Sequence, residues 1–191
     1  GINPGDRKAI FYLIRKIIPT SVLEIGTHIG ASTLHIASAL FINEDLKVGK
    51  QARLVTVDIE DVNDPILKPW LKYSIKYSPV EMITKMGMET VVKFVTDTSL
   101  NYFARSKNKF DFIFLDGDHT AKTVYKEVPA ALNLLNKGGL ILLHDYFPNL
   151  KSLWSNGSVI PGPFLAIKRL IDENVNIHIL PLGELPWPTK L

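Results

Sequence analysis

The chain is 191 residues long, 46% apolar and 21% charged, which suits one domain over residues 1–191 and argues against two. Its net charge of +3 comes from 22 basic and 19 acidic residues that are scattered rather than clustered, so no nucleic-acid partner is expected. It has no cysteine, which excludes disulfides and thiol chemistry, and no apolar run approaches the roughly 18 residues that span a bilayer.

Helical periodicity from Asp6 to Ile18 puts Ile10, Phe11, Leu13, Ile14, Ile17 and Ile18 on one face, with Pro19 as the stop. A short apolar strand follows over Ser21–Ile25, then a glycine-containing turn and a helix from Gly30 to Ile42. Leu54–Val57 reads as a second strand ending at Asp58. Residues 59–90 are punctuated by Pro65, Pro69 and Pro79, with a short helix through Trp70 and Tyr77 and another from Pro79 to Gly87. Val91–Val95 is the third strand, Thr98–Arg105 a helix, and Phe110–Leu115 a fourth strand, apolar on both faces and hence central. A helix over Ala121–Leu135 leads through Lys137, Gly138 and Gly139 into a fifth strand, Leu140–Leu143. The last helix starts at Pro161 or Pro163 and runs to Glu173, and Val175–Leu182 with Trp187–Lys190 suits a closing antiparallel hairpin. Strand-then-helix alternation, five times over, predicts an α/β fold. It is a Rossmann-like, doubly wound, mostly parallel sheet of about seven strands with helices on both faces.

In such sheets ligands bind beyond the carboxyl ends of the strands. After strand one, Gly26 and Gly30 allow a sharp turn and close backbone approach, and the next helix N-terminus offers N–H groups to an anion. Their Gly-x-x-x-Gly spacing differs from the Gly-x-Gly-x-x-Gly of dinucleotide binders, and Glu24 can order this turn or accept from an ammonium group. After strand two, Asp58 suits the two hydroxyls of a ribose, with Glu60 and Asp61 as nearby competitors. After strand three, Asp97 can cap the next helix, and the turn with Thr98 and Ser99 can meet an adenine edge. Strands four and five end in Asp116-Gly117-Asp118-His119 and His144-Asp145-Tyr146, so two carboxylates and two imidazoles converge there. Asp116 and Asp145 offer oxygen to a hard dication, His144 adds nitrogen for a softer one, and His119 can serve as general base. The plainer alternative is that the two aspartates cap helices and contact the cofactor.

Leu23 through Ser32 resembles motif I of the class I S-adenosylmethionine (SAM)-dependent methyltransferases. The run Leu115-Asp116-Gly117-Asp118-His119, a helix, Lys137-Gly138-Gly139 and a strand ending in His144-Asp145 resembles the family 24 and catechol-type, metal-dependent O-methyltransferases. The resemblance covers about residues 20–147. It implies that Glu24, Gly26, Gly30 and Ser32 surround the methionine part of SAM, Asp58 holds the ribose, and Thr98, Ser99 and Asp116 complete the cofactor site. It further implies Asp116 and Asp145 as ligands of Mg²⁺ or another divalent cation. The family's third ligand beside the second aspartate has no match, since His144 and Tyr146 flank Asp145, and His119 stands where catechol-type enzymes carry a lysine. The implied catalytic pair is Asp116 and His119, and the implied acceptor is a small molecule with vicinal hydroxyls, a sugar or an aromatic diol.

Segments 61–80 and 147–163 are expected to form the acceptor rim, with Trp70, Tyr73, Tyr77, Phe147 and Trp154 available to line it. The alternatives are an NAD-dependent oxidoreductase, disfavoured by the glycine spacing, and a non-catalytic SAM-binding domain, disfavoured by the clustered charges. The residues from Gly1 to Asp6 lack the basic end and apolar core of a secretory leader, which points to the cytoplasm and makes the sequon at Asn156 fortuitous. A homodimer is compatible with the fold, and no membrane partner is expected.

Overall fold

The computed structural model describes residues 2–44, 51–150 and 155–180. Five strands form one sheet in the order β3-β2-β1-β4-β5, every neighbouring pair parallel: β1 (Ser21–Ile25), β2 (Arg53–Asp58), β3 (Val92–Thr96), β4 (Phe110–Leu115) and β5 (Leu135–Leu143). The order reverses beside β1, so the crevice between the ends of β1 and β4 is the topological switch point.

Helices cover both faces. Val22, Leu54, Phe112 and Phe114 point to α1 (Pro4–Ile17), α2 (Ala31–Glu44) and α3 (Pro79–Lys85). Leu23, Ile25, Ile113 and Leu115 point the other way, to α4 (Ser99–Arg105), α5 (Ala121–Leu134) and α6 (Gly162–Asp172). Because β1 and β4 bury both faces, their sequences are apolar on both faces, apart from Ser21, Glu24 and Asp111, rather than alternating.

At the opposite end of the sheet Asp111 fastens three strands. Its carboxylate accepts from Thr20 N at 2.8 Å, Thr20 Oγ1 at 2.7 Å, Ser21 N at 3.1 Å and Asn136 Nδ2 at 2.8 Å. Partial burial opposes its charge, but these donors win and hold the carboxyl down at about 2.

Several expectations need correction. The sheet has five strands among the described residues, not about seven, and no antiparallel hairpin. Residues 175–180 form no strand, although Val175 and Ile177 pack on the core, and 181–191 lie outside the described residues. The fifth strand begins at Leu135: Leu135 pairs with Phe110 and Leu140 with Phe112, so residues 136–139 loop out as an irregularity. The helix through Trp70 and Tyr77 is a 3₁₀ turn, Pro69–Tyr73, and stops short of Tyr77. The first helix is stopped by Ile18 in a left-handed conformation (φ 52°) before Pro19 is reached.

Candidate functional site

The turn after β1 is held by its glycines. Gly26 has φ 96°, and a Cβ there would lie 2.2 Å from the carbonyl oxygen of Asp116, so the ends of β1 and β4 can touch only if this residue has no side chain. Gly30 has φ 77°, and its Cβ would press to 3.0 Å from Pro79.

Glu24 is fully buried beneath this turn. Its Oε2 accepts from Thr33 Oγ1 at 2.6 Å and Thr56 Oγ1 at 2.7 Å, and Thr27 joins the cluster through Thr56 at 2.6 Å. Oε1 is buried without a hydrogen-bond partner. Desolvation pushes the carboxyl up to about 7, against the hydroxyls of Ser32, Thr33 and Thr56, which favour the charged form. Ser32 is therefore drawn inward to Glu24, with 3% of its surface exposed. Asp58 ties the turns after β1 and β2 together. Its Oδ2 accepts from His28 N at 2.8 Å, and its Oδ1 from Glu60 N at 3.0 Å. The competitors Glu60 and Asp61 are exposed.

After β3 the cap is Thr98, not Asp97. The Thr98 hydroxyl accepts from Asn101 N at 3.2 Å, whereas Asp97 accepts from Thr98 N and pairs with Arg105 at 2.7 Å. The Thr98 hydroxyl is thus engaged in the cap, and the Ser99 hydroxyl favours the charged form of the buried Glu127 of α5.

The ends of β4 and β5 carry the charges. Asp116 and Asp145 cap no helix, since α5 is capped by Thr120, whose hydroxyl accepts from Thr123 N. His144 Nδ1 lies 2.9 Å from Asp116 Oδ1 and 3.4 Å from Asp145 Oδ2. Neither oxygen lies where the ring N–H could donate to it, so Nδ1 is a buried atom with no hydrogen bond. On the far side of the ring, Nε2 lies 3.2 Å from Asp6 Oδ2. Burial opposes charge on His144, but Asp116, Asp145 and Asp6 override it and push the imidazole up to about 12. Asp145 itself sits at φ 54°, a conformation disfavoured outside glycine. One atom each from Asp116, His144 and Asp145 falls within a 4.8 Å span, with donor chemistry that fits a divalent cation.

His119 stands at the open side of this cluster. Its Nε2 is 3.5 Å from Asp145 Oδ2 and 3.8 Å from Asp116 Oδ1, and about a third of the side chain (32%) is exposed. It faces a groove of about 570 Å³ whose opposite wall is Val159, Ile160, Pro161 and Leu165. The groove's width is fixed by a backbone contact, because a Cβ at Gly162 would fall 1.9 Å from the carbonyl oxygen of His119.

The rim residues divide. Trp70 is only 6% exposed and packs, Tyr73 stacks edge-on against His28 at 4.5 Å, and Tyr77 sits under Lys85. Phe147 is half-buried, and Trp154 lies outside the described residues. Asp6 and the threonines 27, 33 and 56 were not expected from the sequence. A buried glutamate in a strand demands nearby donors, which could have flagged the threonines. The Asp6 contact spans 138 residues and has no local signal.

A family model described as a methyltransferase domain matches residues 23–146. "Probable caffeoyl-CoA O-methyltransferase 1" of Dictyostelium discoideum is 25% identical over 190 residues, covering 96% of this chain and 74% of the relative. Among solved structures, the O-methyltransferase from Bacillus cereus in complex with S-adenosylhomocysteine (SAH) superposes with a TM-score of 0.63 at 21% identity, over 91% of this chain and 70% of that one. SAH-bound methyltransferase PaMTH1 of Podospora anserina superposes with a TM-score of 0.60 at 21% identity, over 78% of this chain, which spans about half of that protein (55%). These structural likenesses carry the fold. Because the family model spans well over half of the sequence, the chain belongs to this methyltransferase family, and it is a class I SAM-dependent methyltransferase.

Proposed function

We propose that the chain methylates a hydroxyl of a small acceptor bearing adjacent hydroxyls, using SAM at the mouths of β1 and β2 and a divalent cation at Asp116, His144 and Asp145. The observation that carries this reading is the position of His119. It lies between that carboxylate–imidazole cluster and an apolar groove. The groove wall of Val159, Ile160, Pro161 and Leu165 favours an aromatic diol over a sugar, since a flat apolar ring gains by burial there. The name of the Dictyostelium relative, a caffeoyl-CoA O-methyltransferase, is consistent with that class.

In this reading the Gly26 turn receives the methionine part of SAM, and Glu24, fully buried beneath it, orders the turn. Asp58, already fixed by two backbone N–H groups, keeps lone pairs for the ribose hydroxyls. Thr98 and Ser99 contribute backbone rather than hydroxyl groups to the adenine side. Asp116, His144 and Asp145 would hold the dication, which would lower the pKa of the acceptor hydroxyl. The acceptor oxygen then attacks the methyl carbon in line. The carbon–sulfur bond breaks with its electron pair passing to sulfur, SAH leaves, and the acceptor proton passes to His119 Nε2. The resulting imidazolium faces the carboxylates of Asp116 and Asp145. The family assignment sets aside the oxidoreductase alternative.

Methyl transfer from labelled SAM to a catechol and to a non-aromatic vicinal diol, with and without chelator, tests this. The expected result is transfer to catechol oxygen that chelator suppresses, reduced about 10²–10⁴-fold in His119→Ala. Transfer that ignores both chelator and His119→Ala would overturn the proposed chemistry.

A further inference from the structure

Helix α1 lies outside the segment that the family model matches, which begins at residue 23, yet its first turn reaches the mouth of β5. Asn3 caps the helix, its side-chain oxygen accepting from Gly5 N at 2.8 Å and Asp6 N at 3.0 Å. The Asn3 amide in turn donates to Asp6 Oδ2. Pro4 in the first turn and the bond from Arg7 Nε to Ile2 O at 2.8 Å fix the same turn. The Asp6 carboxylate is therefore held in one orientation, with Oδ2 3.2 Å from His144 Nε2.

That contact decides what the other side of the ring presents. A dication entering between Asp116 and Asp145 would displace the proton those carboxylates hold on Nδ1, and with Nε2–H bound by the Asp6 carboxylate the lone pair so freed lies on Nδ1. Here Nδ1 is the buried atom that lacks a hydrogen bond, and it lies between Asp116 and Asp145. A carboxylate behind a ligating imidazole fixes its tautomer and raises its basicity. The donor set is then one nitrogen and two carboxylate oxygens. Mg²⁺ prefers an all-oxygen, largely hydrated shell, whereas imidazole suits first-row transition-metal dications.

We propose that Asp6 is a positioning residue that turns His144 Nδ1 into the Asp116–Asp145 cluster, so that the site takes a transition-metal dication in preference to Mg²⁺. The proposal rests on the metal reading given under Proposed function. Its rival is that Asp6 and His144 only fasten α1 to the sheet as an ion pair.

The test is a titration of the intact chain with Co²⁺ alone, followed by visible absorption, and then competition with Mg²⁺. Wild type is expected to bind one Co²⁺ that a large excess of Mg²⁺ does not displace. Asp6→Asn and Asp6→Ala are expected to weaken Co²⁺ about 10–100-fold, with SAH affinity retained. His144→Gln is expected to abolish the preference for Co²⁺. If wild type binds no dication, the metal reading fails and the proposal with it. If Mg²⁺ competes on equal terms, or if the Asp6 variants lower only the melting temperature, the metal reading stands and the role of Asp6 is overturned. Should both Asp6 variants fail to fold, nitrogen coupling in the electron paramagnetic resonance spectrum of Mn²⁺ on wild type decides, and its absence overturns the proposal.

Discussion

The mouths of β1 and β2 and those of β4 and β5 both gather acids, but they treat them differently. In the first region each carboxylate is engaged by groups of the chain: Glu24 by the hydroxyls of Thr33 and Thr56, Asp58 by the N–H groups of His28 and Glu60. In the second, Asp116 and Asp145 have no capping role and crowd around two imidazoles. The first region is preorganised by neutral donors and suits a ligand that must be held. The second concentrates charge and suits a step that moves a proton.

Gly26→Ala breaks both regions at once, because Gly26 lies where the two turns touch. Left-handed strain of about 1–3 kcal/mol and overpacking of similar size together give a loss of about 2–6 kcal/mol, readable by urea denaturation. A loss below about 1 kcal/mol would show that the turns can separate freely. Glu24→Gln isolates the first region. The folded carboxyl is raised to about 7 from an ordinary 4.5, so its contribution to stability is fully present below about pH 4.5 and is lost as pH rises through about 7. Wild type should therefore lose about 3 kcal/mol more than Glu24→Gln between pH 4.5 and 8. Parallel melting curves across that range would contradict the burial argument.

Gly162→Ala strains only the second region. A methyl group 1.9 Å from the His119 carbonyl must push α6 or the His119 loop aside, at about 1–3 kcal/mol. Transfer should fall about 100-fold while SAH affinity stays within error. Smallest is Asp111→Asn, at the far end of the sheet, which should cost about 1 kcal/mol near neutral pH and leave SAH binding and transfer unchanged. The depressed carboxyl of Asp111 contributes stability above about pH 3.8 that is lost as pH falls through about 2, so the gap between variant and wild type should close in acid.

Local signals carried much of this architecture. Ser21–Ile25 and Phe110–Leu115 are legible residue for residue, because each is a short, mostly apolar segment bounded by polar or turn residues. The strand ends followed, and with them Glu24, Asp58, Asp116, His119, His144 and Asp145. Alternation over residues 175–180 was real, with Val175 and Ile177 turned inward, but alternation only predicts an extended chain, and a strand also needs a partner. Asp97 and Thr98 both favour capping, and sequence could not tell which Arg105 would occupy. Asp6 was illegible because its partner is set by how α1 crosses the sheet rather than by its neighbours in sequence.

The most direct test of the division between the two regions is calorimetric titration with SAH of wild type, Asp58→Ala and His119→Ala. The account predicts binding to wild type and His119→Ala with similar affinity, and binding at least about tenfold weaker to Asp58→Ala. Equal binding to wild type and Asp58→Ala, or none to wild type, would contradict it.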